Sequence, residues 1–134
     1  MAYHPPVARV DSLFARAGGE PWFIALVDRF YERVEADPVL RPLYPEDLAP
    51  GRAHLAQFLS QYWGGPATYS EERGHPRLRQ RHFPFAIDAH ARDAWVGHMS
   101  AAVHAGGLSE ADVNTMIEYF EMAATSLVNQ PGSD

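Results

Sequence analysis

A histidine in the second half of the chain is the residue best placed to do chemistry. His82 ends a short segment that begins at Pro76, and proline suits the first position of a helix because its missing N–H would be unpaired there anyway. Pro84 prevents much continuation, so the spacing predicts a short helix over 76–82. Phenylalanines follow His82 and arginines precede it. An imidazole in such surroundings could ligate the iron of a flat, apolar, dianionic molecule, which describes haem.

The same segment has simpler interpretations. A histidine at the carboxyl end of a helix is favourable for the helix dipole alone. The neighbouring arginines, Arg77 and Arg81 among them, could be a solvated face with no ligand. The haem hypothesis therefore needs support from the rest of the chain.

Composition excludes several other classes of protein. The chain of 134 residues has no cysteine, which excludes disulfides, thiolate metal ligands and catalytic thiols. The formal net charge is -6, so the chain lacks the excess of basic residues that is typical of nucleic-acid-binding proteins. No apolar stretch approaches the length of a membrane span, and the amino terminus does not resemble a signal peptide. We expect a cytoplasmic protein with one domain.

The elements that must position these residues are helices. Apolar residues recur at three- and four-residue spacing along most of the chain, and no stretch alternates with the period of a strand. The predicted helices cover residues 12–17, 21–34, 37–43, 50–63, 88–104 and 109–130. A polar loop is predicted over 67–75. The fold class expected from this pattern is all-α, with helix packed on helix.

Three aromatic residues with polar tips, Tyr31, Tyr44 and Trp95, lie on apolar helical faces or at their ends. A buried phenol or indole needs a hydrogen-bond partner, because leaving it unpaired costs on the order of 1–3 kcal/mol. For any one of them, a backbone carbonyl is the simplest partner. If all three converge on a cavity opposite His82, they become donors for a ligand on the iron. Sequence spacing leaves both alternatives open.

Longer motifs follow one another in unbroken order from about residue 12 to residue 130. They are Gly18-Gly19, Phe30-Tyr31, residues 39–47, Phe58-Leu59, residues 61–66, Tyr69-Ser70, residues 74–79, Arg81-His82, Pro84-Phe85, Asp93-Ala94-Trp95, residues 122–124 and residues 126–129. Together they resemble the truncated haemoglobins, most closely the second group of that family. The resemblance implies a two-over-two helical sandwich around haem, with one domain over 12–130, a loosely ordered lead-in over 1–11 and a tail over 131–134.

The resemblance also implies roles for individual residues. The cofactor would be haem b (iron protoporphyrin IX), with His82 as the proximal iron ligand and Tyr31, Tyr44 and Trp95 as distal hydrogen-bond donors. Gly51 matches the distal gate position and has no side chain to offer, so these three must stabilise the ligand. The residues implied around the porphyrin are Leu55, Phe58, Leu59 and Met99. Those implied at the propionates are Tyr69 and Arg81, the latter by bidentate pairing with a carboxylate.

The function implied is binding of O2 and other small ligands: nitric oxide, carbon monoxide or peroxide. One hydrogen bond of about 1.4 kcal/mol changes affinity about tenfold, so two or three donors would make O2 release slow. Redox chemistry, either peroxide reduction or nitric oxide dioxygenation with an unidentified reductase, therefore fits better than transport. The alternatives are a reversible O2 store or sensor, and a helical interaction protein without cofactor. A monomer and a homodimer are both compatible with the sequence.

Overall fold

The computed structural model describes residues 12–74 and 87–129, and the regular structure in both ranges is helical, without strands. The helices are α1 (Leu13–Ala17), α2 (Glu20–Glu35), a 3-10 helix (Arg41–Leu43), α3 (Ala49–Tyr62), α4 (Thr68–Arg73), α5 (Ala89–His104) and α6 (Glu110–Ser126). The all-α prediction is thereby confirmed. The predicted helix over 76–82, with Arg81 and His82, lies outside the described residues.

Several helices begin where the sequence places a capping side chain. The Asp88 carboxylate accepts a hydrogen bond from the Ala91 amide at 2.8 Å and caps α5. The Ser109 hydroxyl does the same for α6 by accepting from the Asp112 amide at 3.2 Å. Such caps satisfy amide groups that the first turn of a helix leaves unpaired. Among the described helices, none combines the length and apolarity that crossing a bilayer demands.

The prediction of a polar loop over 67–75 is wrong, because α4 (Thr68–Arg73) forms there. The Gln61 side chain of α3 forms two hydrogen bonds with Ser70 of this short helix: its oxygen accepts from the Ser70 amide at 2.9 Å, and its nitrogen donates to the Ser70 hydroxyl at 2.7 Å. The neighbouring Tyr69 side chain is buried. A six-residue helix is too short to be stable by itself, so these tertiary contacts, rather than local propensity, decide the conformation.

The described chain divides into two compact units. Residues 12–28 and 49–74 belong to the first, and residues 29–48 and 87–129 to the second. In the first unit, the Phe23 ring stacks between Phe14, at 5.7 Å between ring centroids, and Trp63, at 6.3 Å. The fully buried side chains of the second unit are those of Phe30, Val34, Leu40, Met99, Val103, Met116 and Phe120.

Gly65 shows how closely the first unit is packed. A Cβ atom added there would lie 2.7 Å from the Ser60 carbonyl oxygen and 2.8 Å from the Phe14 ring. We expect Gly65→Ala to lower the free energy of unfolding by about 1–3 kcal/mol, the usual cost of overpacking. Chemical denaturation followed by circular dichroism measures the change.

The matched control is Gly97→Ala on α5, where an added Cβ meets nothing within 4 Å. This variant should be neutral or stabilised by up to about 1 kcal/mol, because glycine is a poor residue for a helix interior. Equal effects at the two glycines would contradict the packing argument.

Candidate ligand-binding site

The second unit brings the side chains of Tyr31, Tyr44 and Trp95 together from three separate elements. Tyr31 lies on α2, Tyr44 follows the 3-10 helix and Trp95 lies on α5. The rings of Tyr31 and Tyr44 meet edge to face, with centroids 5.7 Å apart and planes inclined at 80°. The Trp95 indole lies close enough to the Tyr44 hydroxyl to act on it as a hydrogen-bonding group, and this lowers the pKa of Tyr44. We call these three residues the aromatic donor cluster.

The hydrogen bond between Trp95 and Tyr44 has only one possible direction. An indole nitrogen can donate but cannot accept, so the Trp95 N–H donates to the Tyr44 hydroxyl oxygen. The hydroxyl hydrogen of Tyr44 is thereby left to be donated onward. The family resemblance implied Trp95 and Tyr44 as separate donors to a ligand, and the role of each toward a ligand stays a prediction.

Tyr44 keeps its proton at physiological pH. Burial raises the pKa of Tyr44 well above the usual value of about 10, and the nearby Tyr31 raises it further. The hydrogen bond from Trp95 lowers the pKa of Tyr44, but only in part. The phenol is therefore neutral, so its hydroxyl group is able to donate a hydrogen bond.

The backbone around Tyr44 is held by Arg41, a residue that sequence reasoning did not single out for this purpose. Its guanidinium donates to the carbonyl oxygens of Pro45 at 3.0 Å and Glu46 at 3.1 Å. A rigid, planar guanidinium can bond several carbonyls at once. No spacing rule identifies such a contact, because the carbonyls carry no side-chain signature.

Packing completes the surroundings of Trp95. Its ring lies edge-on to Phe30 of α2 at 5.2 Å and against Phe120 of α6 at 5.6 Å. Both phenylalanines are almost completely buried. These contacts restrict the orientation of the Trp95 indole ring beside Tyr44.

The other predicted haem contacts are placed as follows. In the first unit, Leu55 and Phe58 are half-buried, Leu59 is almost completely buried, and Tyr69 packs against Phe58 with ring centroids 5.5 Å apart. In the second unit, Met99 is fully buried. The structure gives the burial and packing of these five side chains. Whether they contact a porphyrin stays a prediction.

Comparison with known proteins decides which class of site this is. Residues 12–129 match the family model described as bacterial-like globin. The Group 2 truncated hemoglobin YjbI of Bacillus subtilis (strain 168) is 44% identical over 112 residues, which are 84% of this chain and 85% of the relative. The chain belongs to the group II truncated haemoglobins. Membership implies a haem cofactor and the binding of small diatomic ligands such as O2.

Solved structures agree with this membership. The haemoglobin of Chloroflexus aurantiacus is 52% identical, with a TM-score of 0.87 over 89% of this chain and 98% of that one. The truncated oxygen-avid haemoglobin of Bacillus subtilis is 43% identical, with a TM-score of 0.79 over 83% of this chain and 94% of that one. The two-over-two globin fold of this truncated haemoglobin is thereby confirmed.

The described residues include side chains that fit the implied haem cofactor; on which side of it they would lie stays a prediction. The aromatic donor cluster offers two phenols and an indole, which are donors suited to a small ligand that attracts electron density. The pKa of Tyr44 is raised by burial, so the hydroxyl group stays neutral and can donate to such a ligand. His82, the expected iron ligand, lies outside the described residues, and its role stays a prediction.

Proposed function

We propose that this truncated haemoglobin holds O2 tightly at haem b and carries out redox chemistry on a ligand bound there. The reaction is either oxidation of nitric oxide to nitrate by the bound O2, or reduction of peroxide by electrons from an external reductase. The observation that carries the proposal is the convergence of the aromatic donor cluster: the rings of the buried Tyr31 and of Tyr44 meet at 5.7 Å between centroids, and the Trp95 indole acts on the Tyr44 hydroxyl. Haem supplies an iron that takes up a diatomic ligand and exchanges electrons. His82 would hold that iron from the proximal side.

The donor cluster would act on the ligand through Tyr44. Because Trp95 donates to the Tyr44 oxygen, it increases the polarity of the hydroxyl and strengthens the bond that this group donates. In a site of low dielectric constant, a fixed donor of this kind stabilises developing negative charge more than water does. Tyr44 is then the residue that orients the ligand, and Trp95 orients Tyr44.

The size of this effect favours retention over transport. One donated hydrogen bond of about 1.4 kcal/mol slows release about tenfold, and a second multiplies the effect. The similar oxygen-avid haemoglobin of Bacillus subtilis supports tight O2 binding here. Slow release is unfavourable for a carrier but leaves time for a second reactant to reach the ligand.

The remaining contacts to haem complete the proposal. Leu55, Phe58, Leu59 and Met99 would contact the porphyrin with apolar side chains, and Tyr69 and Arg81 would meet its propionates. An arginine binds a carboxylate through two parallel hydrogen bonds, which favours Arg81 for that position. An external reductase would return the iron to its ferrous state after each turnover.

One preparation of the protein can decide between turnover and storage. Stopped-flow measurement gives the rate of O2 dissociation, and steady-state assays give turnover of peroxide and of nitric oxide with an added reductant. We expect slow O2 release together with rapid turnover of one of the two substrates. Fast, reversible release with negligible turnover of both would contradict the proposal and identify a reversible O2 store.

A further inference from the structure

A second polar network lies in the same unit as the donor cluster and has no assigned role. The His98 Nε2 atom lies 2.5 Å from a carboxylate oxygen of Asp37, and the Arg33 Nε atom donates to His98 Nδ1 at 3.1 Å. The side chains of His98 and Asp37 are only 20% and 14% exposed. The sequence identified no partner for His98, because His98 lies 65 residues from Arg33 and 61 residues from Asp37 in the chain.

The protonation of His98 follows from these partners. A guanidinium nitrogen always donates, so Nδ1 must accept with its lone pair and the ring proton lies on Nε2. That proton is donated to Asp37. The hydrogen bond from His98, together with one from the Val39 amide, holds the pKa of Asp37 below its usual range. Asp37 is therefore an anionic acceptor at neutral pH.

The position of the network connects it to the donor cluster. His98 lies one helical turn after Trp95 on α5, so both side chains are carried by the same rigid segment. Asp37 begins the segment that ends at Tyr44, and its other carboxylate oxygen accepts from the Val39 amide at 2.7 Å. The contact between His98 and Asp37 thus spans the same two elements as the interaction of the Trp95 indole with the Tyr44 hydroxyl.

Helix α2 is tied to α5 by an additional contact. Arg29 donates through two nitrogens to the Ala102 carbonyl oxygen, at 3.1 and 2.9 Å. Loss of His98 therefore leaves α2 and α5 connected. His98 bonds the first residue of the segment from Asp37 to Tyr44, and that segment carries the hydroxyl group of interest.

We propose that His98, held between Arg33 and Asp37, is a positioning residue that keeps the Trp95 indole beside the Tyr44 hydroxyl. The expected effect of His98 on a bound ligand rests on the proposed function. The expected effect of His98 on the Trp95 indole does not depend on that function. His98 touches neither ligand nor cofactor in this proposal. It acts by fixing the distance between α5 and the Asp37–Tyr44 segment.

The test compares two substitutions on one helix in the ferrous carbon monoxide form of the intact protein. His98→Phe keeps a ring but removes both nitrogens. His104→Phe is the control, because His104 is exposed and bonds the Ser100 carbonyl of its own helix at 2.9 Å. Two readouts are recorded: solvent exchange of the Trp95 indole N–H by nuclear magnetic resonance, and the carbon monoxide stretching frequency by infrared spectroscopy. Trp95→Phe assigns the indole signal among the three tryptophans.

We expect His98→Phe to speed indole exchange about tenfold, equivalent to about 1.4 kcal/mol, and to shift the stretching frequency; His104→Phe should change neither. Unchanged indole exchange in a folded His98→Phe variant would overturn the inference. If Tyr44→Phe leaves the stretching frequency unchanged, the donor role in the proposed function fails, while indole exchange still tests His98.

A measurement on the unsubstituted protein covers the case in which His98→Phe does not fold. Nitrogen-15 chemical shifts of the His98 ring should show a protonated Nε2 and a bare Nδ1 at neutral pH. A proton on Nδ1 would contradict the network directly. Asp37→Asn, which keeps the size of the side chain and removes its charge, should speed exchange of the Trp95 indole N–H in the same direction as His98→Phe.

Discussion

Trp95→Phe is expected to speed O2 release about tenfold in the otherwise unsubstituted protein, and by much less when Tyr44 is already phenylalanine. The reason is the serial arrangement of the two side chains: the indole donates to the Tyr44 oxygen, and the Tyr44 hydroxyl faces the ligand in our proposal. One hydrogen bond of about 1.4 kcal/mol corresponds to the tenfold change. Once the hydroxyl is absent, the indole has nothing to strengthen, so the two effects should not add.

A double-mutant cycle measures this coupling. Rates of O2 dissociation are compared for Trp95→Phe, Tyr44→Phe, the double variant and the unsubstituted protein. Trp22→Phe is the control, because that indole packs against Phe23 in the first unit at 5.0 Å between ring centroids. The control should leave the rate unchanged. Additive effects of Trp95 and Tyr44 would instead indicate two independent donors, and an unchanged rate in both single variants would exclude the cluster from ligand retention.

Of all single substitutions, His82→Gly should weaken haem binding most strongly, because it removes the imidazole proposed to hold the iron. We expect loss of the ferrous spectrum typical of a proximal histidine, and haem dissociation at least about a hundredfold faster, equivalent to about 2.8 kcal/mol. Added imidazole should restore the spectrum by occupying the space of the missing side chain. Transfer of haem to an apo-globin acceptor gives the dissociation rate.

The control for this substitution is His104→Gly, at an exposed position on α5. Glycine there costs up to about 1 kcal/mol of helix stability, but the Soret band and the rate of haem transfer should stay as they are. If His82→Gly binds haem with an unchanged ferrous spectrum and no response to imidazole, another residue holds the iron. His75, the nearest histidine in the chain, would then be the first to examine.

The two networks in the second unit predict which substitutions should change the rate of O2 release most strongly. In our proposals, changes at Tyr44 and Trp95 would act on the hydrogen bond to the ligand, whereas changes at His98 and Asp37 would act on the distance between the elements that carry those residues. The first group should alter O2 release most strongly. The second should alter it through the Trp95 indole, which can be observed separately.

The sequence by itself determined the all-α class, the caps of α5 and α6, and membership in the truncated haemoglobins. Each of these depends on local information: apolar spacing, a capping side chain such as Asp88, or residues in unbroken order along the chain. The same motifs identified Tyr31, Tyr44 and Trp95 as a set. Their spacing left open whether the three side chains meet, because they lie on separate elements.

Tertiary structure decided the features that depend on residues distant in the chain. Helix α4 forms because Gln61 bonds Ser70, a contact that no propensity scale contains. The order of donors, from Trp95 to Tyr44, exists only after α5 meets the turn after α2. The hydrogen bond between His98 and Asp37 likewise joins residues that are distant in the chain. Hydrogen bonds between elements depend on how helices pack, and a linear pattern of residue types encodes that packing only indirectly.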